Sequence, residues 1–80
     1  MYNILICDDE KDIVSALKIY LASDDYNLYE AYDGREAVQI IESNDIHLVL
    51  LDIMMPGMDG MQVLNTIRRE RNMPVIFLTA

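Results

Sequence analysis

Apolar residues along this chain follow two alternating patterns. Tyr2 to Cys7 (YNILIC), His47 to Leu51 (HLVLL) and Val75 to Leu78 (VIFL) are short, nearly unbroken apolar runs. They lack the period-two alternation of a strand with one wet face, so they predict strands buried on both sides. Between the runs the apolar spacing turns helical. Ile13, Val14, Leu17, Tyr20 and Leu21 predict a helix over Lys11 to Ala22. Tyr26 to Tyr32 is β-prone, and its Glu30 marks it as a partly exposed edge strand. Asp33-Gly34-Arg35-Glu36 has the form of a capping box ahead of a second helix bearing Ala37, Val38, Ile40 and Ile41. Asp59 can cap a third helix bearing Met61, Leu64 and Ile67, and Pro74 opens the last strand.

The predicted order is β-α-β-α-β-α-β, which means a parallel sheet with crossover helices: an α/β, doubly wound fold. Right-handed crossovers put the first helix on one face of the sheet and the next two on the other. Composition narrows the function. With 80 residues the chain is one domain at most, and 52% hydrophobic residues suffice for a core. A net charge of −8 argues against nonspecific binding to nucleic acid or to an anionic membrane. The single Cys7 cannot form an internal disulfide and reads as a buried thiol, which fits a reducing compartment. No apolar run is long enough to span a bilayer and no leader opens the chain, so a soluble, cytoplasmic protein is expected.

The acids fall at strand ends. Asp8 and Asp9 directly follow the first apolar run, and Asp52 directly follows the third strand. If the chain reverses direction after its second strand, these two strands are neighbours and their carboxyl ends flank the topological switch point, where ligands bind in such sheets. Three converging carboxylates repel one another unless a cation lies among them, and a hard ion such as Mg²⁺ is the economical answer. Mg²⁺ shares its shell readily with phosphate oxygens, so the pattern points to phosphoryl chemistry. Thr79 closes the last strand at the same edge, where its hydroxyl can donate to a phosphoryl oxygen. Met55-Pro56-Gly57-Met58 suits a type II turn, which would leave the Met54 carbonyl able to face the ion.

Each residue also has a plainer role. Asp8 and Asp9 can be no more than helix caps, Asp52 a loop acid and Thr79 a strand residue. Their coincidence at three strand ends on one edge favours the shared site. Met54, Met55, Met58 and Met61 read as packing or adaptable surface, and His47 as a strand-boundary residue without ligand partners. Arg68, Arg69 and Arg71 read as a solvated helix end.

The segments ILICDDE (4 to 10), LVLLDIMMPGMDG (48 to 60) and PVIFLTA (74 to 80) resemble, in order and spacing, the receiver domain of bacterial two-component response regulators. The style of DIMMPGMDG is most similar to regulators with a winged-helix DNA-binding output. The resemblance implies a flavodoxin-like sheet in the order 2-1-3-4 and a signalling domain that promotes its own phosphorylation, not an enzyme. Asp52 would accept the phosphoryl group from a sensor histidine kinase or a small phosphodonor. Asp9, Asp52 and the Met54 carbonyl would ligate Mg²⁺, Asp8 would act mainly through water, and Thr79 would contact the phosphoryl group. DNA would be reached only through an output domain absent from the chain, and no membrane is involved.

Against that family the 80 residues read as the N-terminal part of a receiver, lacking a fourth helix, a fifth strand with its following lysine, and a fifth helix. This implies slow or absent phosphorylation of the chain as it stands. It also leaves VIFL as an apolar edge and one sheet face covered by a single helix, so self-association is expected. Two other functions compete. One is a self-associating fragment without phosphoryl transfer. The other is a Mg²⁺-dependent phosphatase with an aspartyl nucleophile, disfavoured because such enzymes want a second Asp two residues after the first, where this chain has Met54.

Overall fold

The computed structural model describes residues 1–78. Its elements are β1 (Tyr2–Cys7), α1 (Lys11–Leu21), β2 (Tyr26–Ala31), α2 (Gly34–Ser43), β3 (Leu48–Asp52), α3 (Gly60–Ile67) and β4 (Val75–Leu78). The four strands are all parallel, in the order β2-β1-β3-β4. The expected reversal after the second strand is therefore present, and it makes β1 and β3 neighbours at the centre of the sheet.

The unbroken apolar runs are explained by burial from both sides. Leu5, Cys7, Val49 and Leu51 face α2 and α3, where Ala37, Ile41, Val63 and Ile67 close over them. Ile4, Ile6 and Leu50 face α1 and meet Val14. The two layers are unequal. On the α2/α3 side the core is continuous, whereas α1 fully buries only Val14 and leaves Ile13 partly exposed. Within α1, Tyr20 points to solvent although its spacing matches the apolar stripe, and Ile19 is exposed beside it. A narrow contact between one helix and two strands needs fewer apolar positions than the sequence offers. In α3 the buried pair is Val63 and Ile67, one helical turn apart, while Met61 lies outside.

Helix starts follow the acids, with one difference. Asp59 caps α3 in a complete box: its carboxylate accepts from Gln62 N at 2.9 Å, and Gln62 Oε1 accepts from Asp59 N at 2.9 Å. At α2 Asp33 accepts from Glu36 N at 2.8 Å, but among the described hydrogen bonds the reciprocal half is missing. A neutral Gln can fold back over an aspartate without repulsion; a Glu carboxylate cannot. Arg71, expected as part of a solvated helix end, instead donates from its guanidinium to the Glu42 carbonyl at 3.3 Å, meeting one of the orphan carbonyls that end α2. His47 sits at the strand boundary as expected, with Nδ1 accepting from Asn3 N at 2.9 Å.

A candidate cation and phosphoryl site at the switch point

The site is built by register. Cys7 pairs with Leu51 across β1 and β3, so the next residues along each chain, Asp8 and Asp52, emerge side by side at the carboxyl edge. One carboxylate oxygen from each of Asp8, Asp9 and Asp52 lies within 4.8 Å of the others. Asp8 is buried, Asp52 half-buried and Asp9 exposed. The cluster is thus graded from sheet to solvent, open on one side to a ligand.

Helix capping does not account for the pair after β1. The residue at the N-cap of α1 is Glu10, whose side chain makes no capping bond. Asp8 Oδ1 accepts from Glu10 N at 2.9 Å, which fixes the carboxylate within the turn. Asp52 Oδ1 accepts from Met54 N at 3.2 Å, so the backbone at Met54 folds back against the acid while the Met54 side chain stands in solvent. Gly57 has φ +76°, the left-handed value that the third position of a type II turn requires. Thr79 lies outside the described residues; it follows Leu78, the β4 partner of Asp52.

The electrostatics mark Asp52. Burial pushes its carboxyl above the ordinary carboxylate range, and the charges of Asp8 and Asp9 add to this, against the lowering effect of the Met54 N–H. Behind the cluster, burial first and then the charges of Asp33, Asp8 and Asp52 push the Cys7 thiol up to about 12. With Sγ 3.7 Å from Met55 Sδ and 3.6 Å from the Asp33 carbonyl, Cys7 is an inert core residue. A site of three carboxylates, one of them destabilised in its charged form by burial and by its neighbours, fits a hard cation: oxygen donors only, close enough to share an ion, with charge to be offset.

Gly60, which the motif reading passed over, supports the acid from below. A Cβ there would collide with the Asp52 carbonyl oxygen and lie 2.8 Å from Ile53 Cα. Gly60 N also donates to the Ile53 carbonyl at 2.9 Å, closing the loop that carries Met54 to Asp59. A glycine at the first residue of a helix is a poor helix former, and that local misfit is the signal of a close approach in the sequence. Gly60→Ala is expected to destabilise the fold by about 1–3 kcal/mol, as overpacking against backbone does. Thermal melting measures this, and an unchanged midpoint would show that α3 can shift without resistance.

The chain matches the family described as "Response regulator receiver domain" over residues 4–80. It is similar to the N-terminal domain of a response regulator receiver protein from Methanoculleus marisnigri JR1, at 37% identity and TM-score 0.92, covering 100% of this chain and 68% of that one. It is also similar to the response regulator protein TrrA from Thermotoga maritima, crystallised in complex with Mg²⁺-BeF, at 40% identity and TM-score 0.91, covering 100% and 70%. A third similar structure is the receiver domain of the Francisella response regulator 1452, at 33% identity and TM-score 0.90, covering 100% and 67%. Fold, strand-end acids and sequence matches converge: this chain belongs to the response regulator receiver domain family.

Proposed function

We propose that the protein is a phosphoacceptor that takes a phosphoryl group onto Asp52 with the help of Mg²⁺. The observation that carries this is the convergence of Asp8, Asp9 and Asp52 within 4.8 Å at the switch point of a receiver fold. Asp9, Asp52 and the Met54 carbonyl would hold the ion directly and Asp8 mainly through water. When bound, Mg²⁺ supplies positive charge that offsets the carboxylates and the oxygens of the phosphoryl group. A carboxylate oxygen of Asp52 attacks phosphorus, and the donor's bond to phosphorus breaks with its electron pair leaving on the donor. The Met54 N–H holds one oxygen of the Asp52 carboxylate in place at the cleft. Thr79 donates to a phosphoryl oxygen of the product. The physiological donor would be a sensor histidine kinase, and the added charge at the strand end would bias an output, transcription among the choices. The nearby complex of TrrA with Mg²⁺-BeF supports the same ligand chemistry here. Incubation with Mg²⁺ and a small phosphodonor is expected to add one phosphoryl group slowly, read by intact mass and blocked by a chelator. No increment would favour a fragment without transfer, and continuing release of phosphate from unrelated esters a phosphatase.

A second reading concerns assembly. Ile76 is 52% exposed at the middle of β4, on the face that α1 covers thinly, and among the described residues β4 pairs only with β3. We propose that two copies meet through this strand or the adjoining sheet face. Light scattering at high protein concentration is expected to give a dimer or larger species; a monomer of unchanged secondary structure overturns the proposal. No helix among the described residues is long and apolar enough to cross a membrane.

A further inference from the structure

A second charged network lies beside the acid cluster, on the flank of α1. Lys11 and Lys18 are two turns apart on that helix and share a face. Glu30 lies near the end of β2 and Tyr32 directly follows that strand's last residue, Ala31, and their side chains meet. The pairs meet rung by rung. Lys18 Nζ contacts Glu30 Oε1 at 2.7 Å, and the Tyr32 hydroxyl donates to Glu30 Oε2. The Lys11 ammonium stands 5.5 Å from the centroid of the Tyr32 ring, within cation–π range. Glu30 thus fixes the ring, and the ring holds Lys11.

Lys11 is the first residue of α1, two positions after Asp9 and three after Asp8. Side chains of a helix lean toward its N-terminus, so an unanchored Lys11 would lean toward the acid loop. Its ammonium is a compact charge on a flexible four-carbon stem, suited to neutralise a carboxylate that a divalent ion would otherwise occupy. Among the described residues it makes no ion pair of its own.

We propose that Tyr32 is a positioning residue for the cation site: its ring, anchored by Glu30 and Lys18, keeps the Lys11 ammonium out of the Asp8-Asp9-Asp52 cluster. This rests on the reading that the cluster binds a divalent ion. The test is a Mg²⁺ titration by calorimetry at fixed ionic strength, on the whole chain and on Tyr32→Leu, Lys11→Ala and the double variant. Tyr32→Leu is expected to weaken Mg²⁺ binding about threefold or more, the scale of one exposed cation–π contact. Lys11→Ala tightens binding, and in that background Tyr32→Leu has no further effect. Tyr32→Phe, which keeps the ring but removes its bond to Glu30, gives a smaller loss than Tyr32→Leu, and that loss disappears with Lys11→Ala. An equal loss from Tyr32→Leu with and without Lys11, or no loss at all, overturns the proposal and leaves the ring as packing. Should Tyr32→Leu not fold, Glu30→Gln loosens the ring in place and gives a smaller loss that again disappears with Lys11→Ala; a loss independent of Lys11 overturns the proposal. A parent protein that binds no Mg²⁺ overturns instead the reading of the cluster itself.

Discussion

Asp52→Asn is expected to abolish phosphoryl uptake and at the same time to stabilise the metal-free protein. The amide offers no carboxylate oxygen for the acyl phosphate, so the mass increment is lost completely. Losing one of three donors should weaken Mg²⁺ binding at least about tenfold, since even outer partners of metal ligands cost that much. Stability moves the other way because Asp52 is charged at an unfavourable place. It is half-buried beside Asp8 and Asp9, and the amide relieves both the desolvation and the repulsion. The melting midpoint of metal-free Asp52→Asn should rise by several degrees. A lowered midpoint would mean that the carboxylate is structurally satisfied, and that the site is not held under charge strain.

The pH dependence follows with a definite sign. In the fold the Asp52 carboxyl titrates above its ordinary 3.8, chiefly through burial. Just above 3.8 the native protein therefore binds a proton that the unfolded chain does not. The stabilisation from this group is complete below 3.8 and is lost as pH rises through the raised value, a change absent in Asp52→Asn. Saturating Mg²⁺ should reverse the slope, because protons then compete with the ion for the same oxygens and the ion stabilises only the folded state. Melting curves from pH 4 to 7, with and without Mg²⁺, check both signs.

Much of this site was legible in the residues because parallel sheets translate sequence position into spatial position. An acid that directly follows a doubly buried run must lie at the carboxyl edge, and the alternation of elements places the runs of Asp8 and Asp52 side by side. Capping was legible for the same local reason, at Asp33 and Asp59. What was not legible depends on contacts between elements distant in the chain. Lys11 and Tyr32 have no spacing that connects them, and their meeting depends on the angle at which α1 crosses β2. Gly60 was visible as a misfit at a helix start, but the atom it makes room for, the Asp52 carbonyl, emerges only from packing. Tyr20 misled because helical spacing marks a face, not how much of that face the sheet can cover.

The unequal cover of the two sheet faces gives the last prediction. Leu50 and Leu51 are adjacent in one apolar run, and nothing in the run distinguishes them. In the fold Leu51 is fully buried under α2 and α3, beside Leu5, Val49, Ile41 and Val63. Leu50 points to the α1 side, where it retains 9% of its surface and its β4 partner is the exposed Ile76. Truncating Leu51 opens a cavity that rigid neighbours on every side cannot collapse into, and should cost about 3–5 kcal/mol. Leu50→Ala leaves a space that α1 can settle into and water can reach, so about 2 kcal/mol is expected. A domain of this length has on the order of 4–12 kcal/mol of stability in all. Leu51→Ala should therefore remove a large part of the total stability, and Leu50→Ala a clearly smaller part. Urea denaturation of dilute protein, with equal slopes for the two variants, measures the difference. Equal losses would mean that α1 covers its face as tightly as α2 and α3 cover theirs. That would also remove the physical reason for a second copy to dock there.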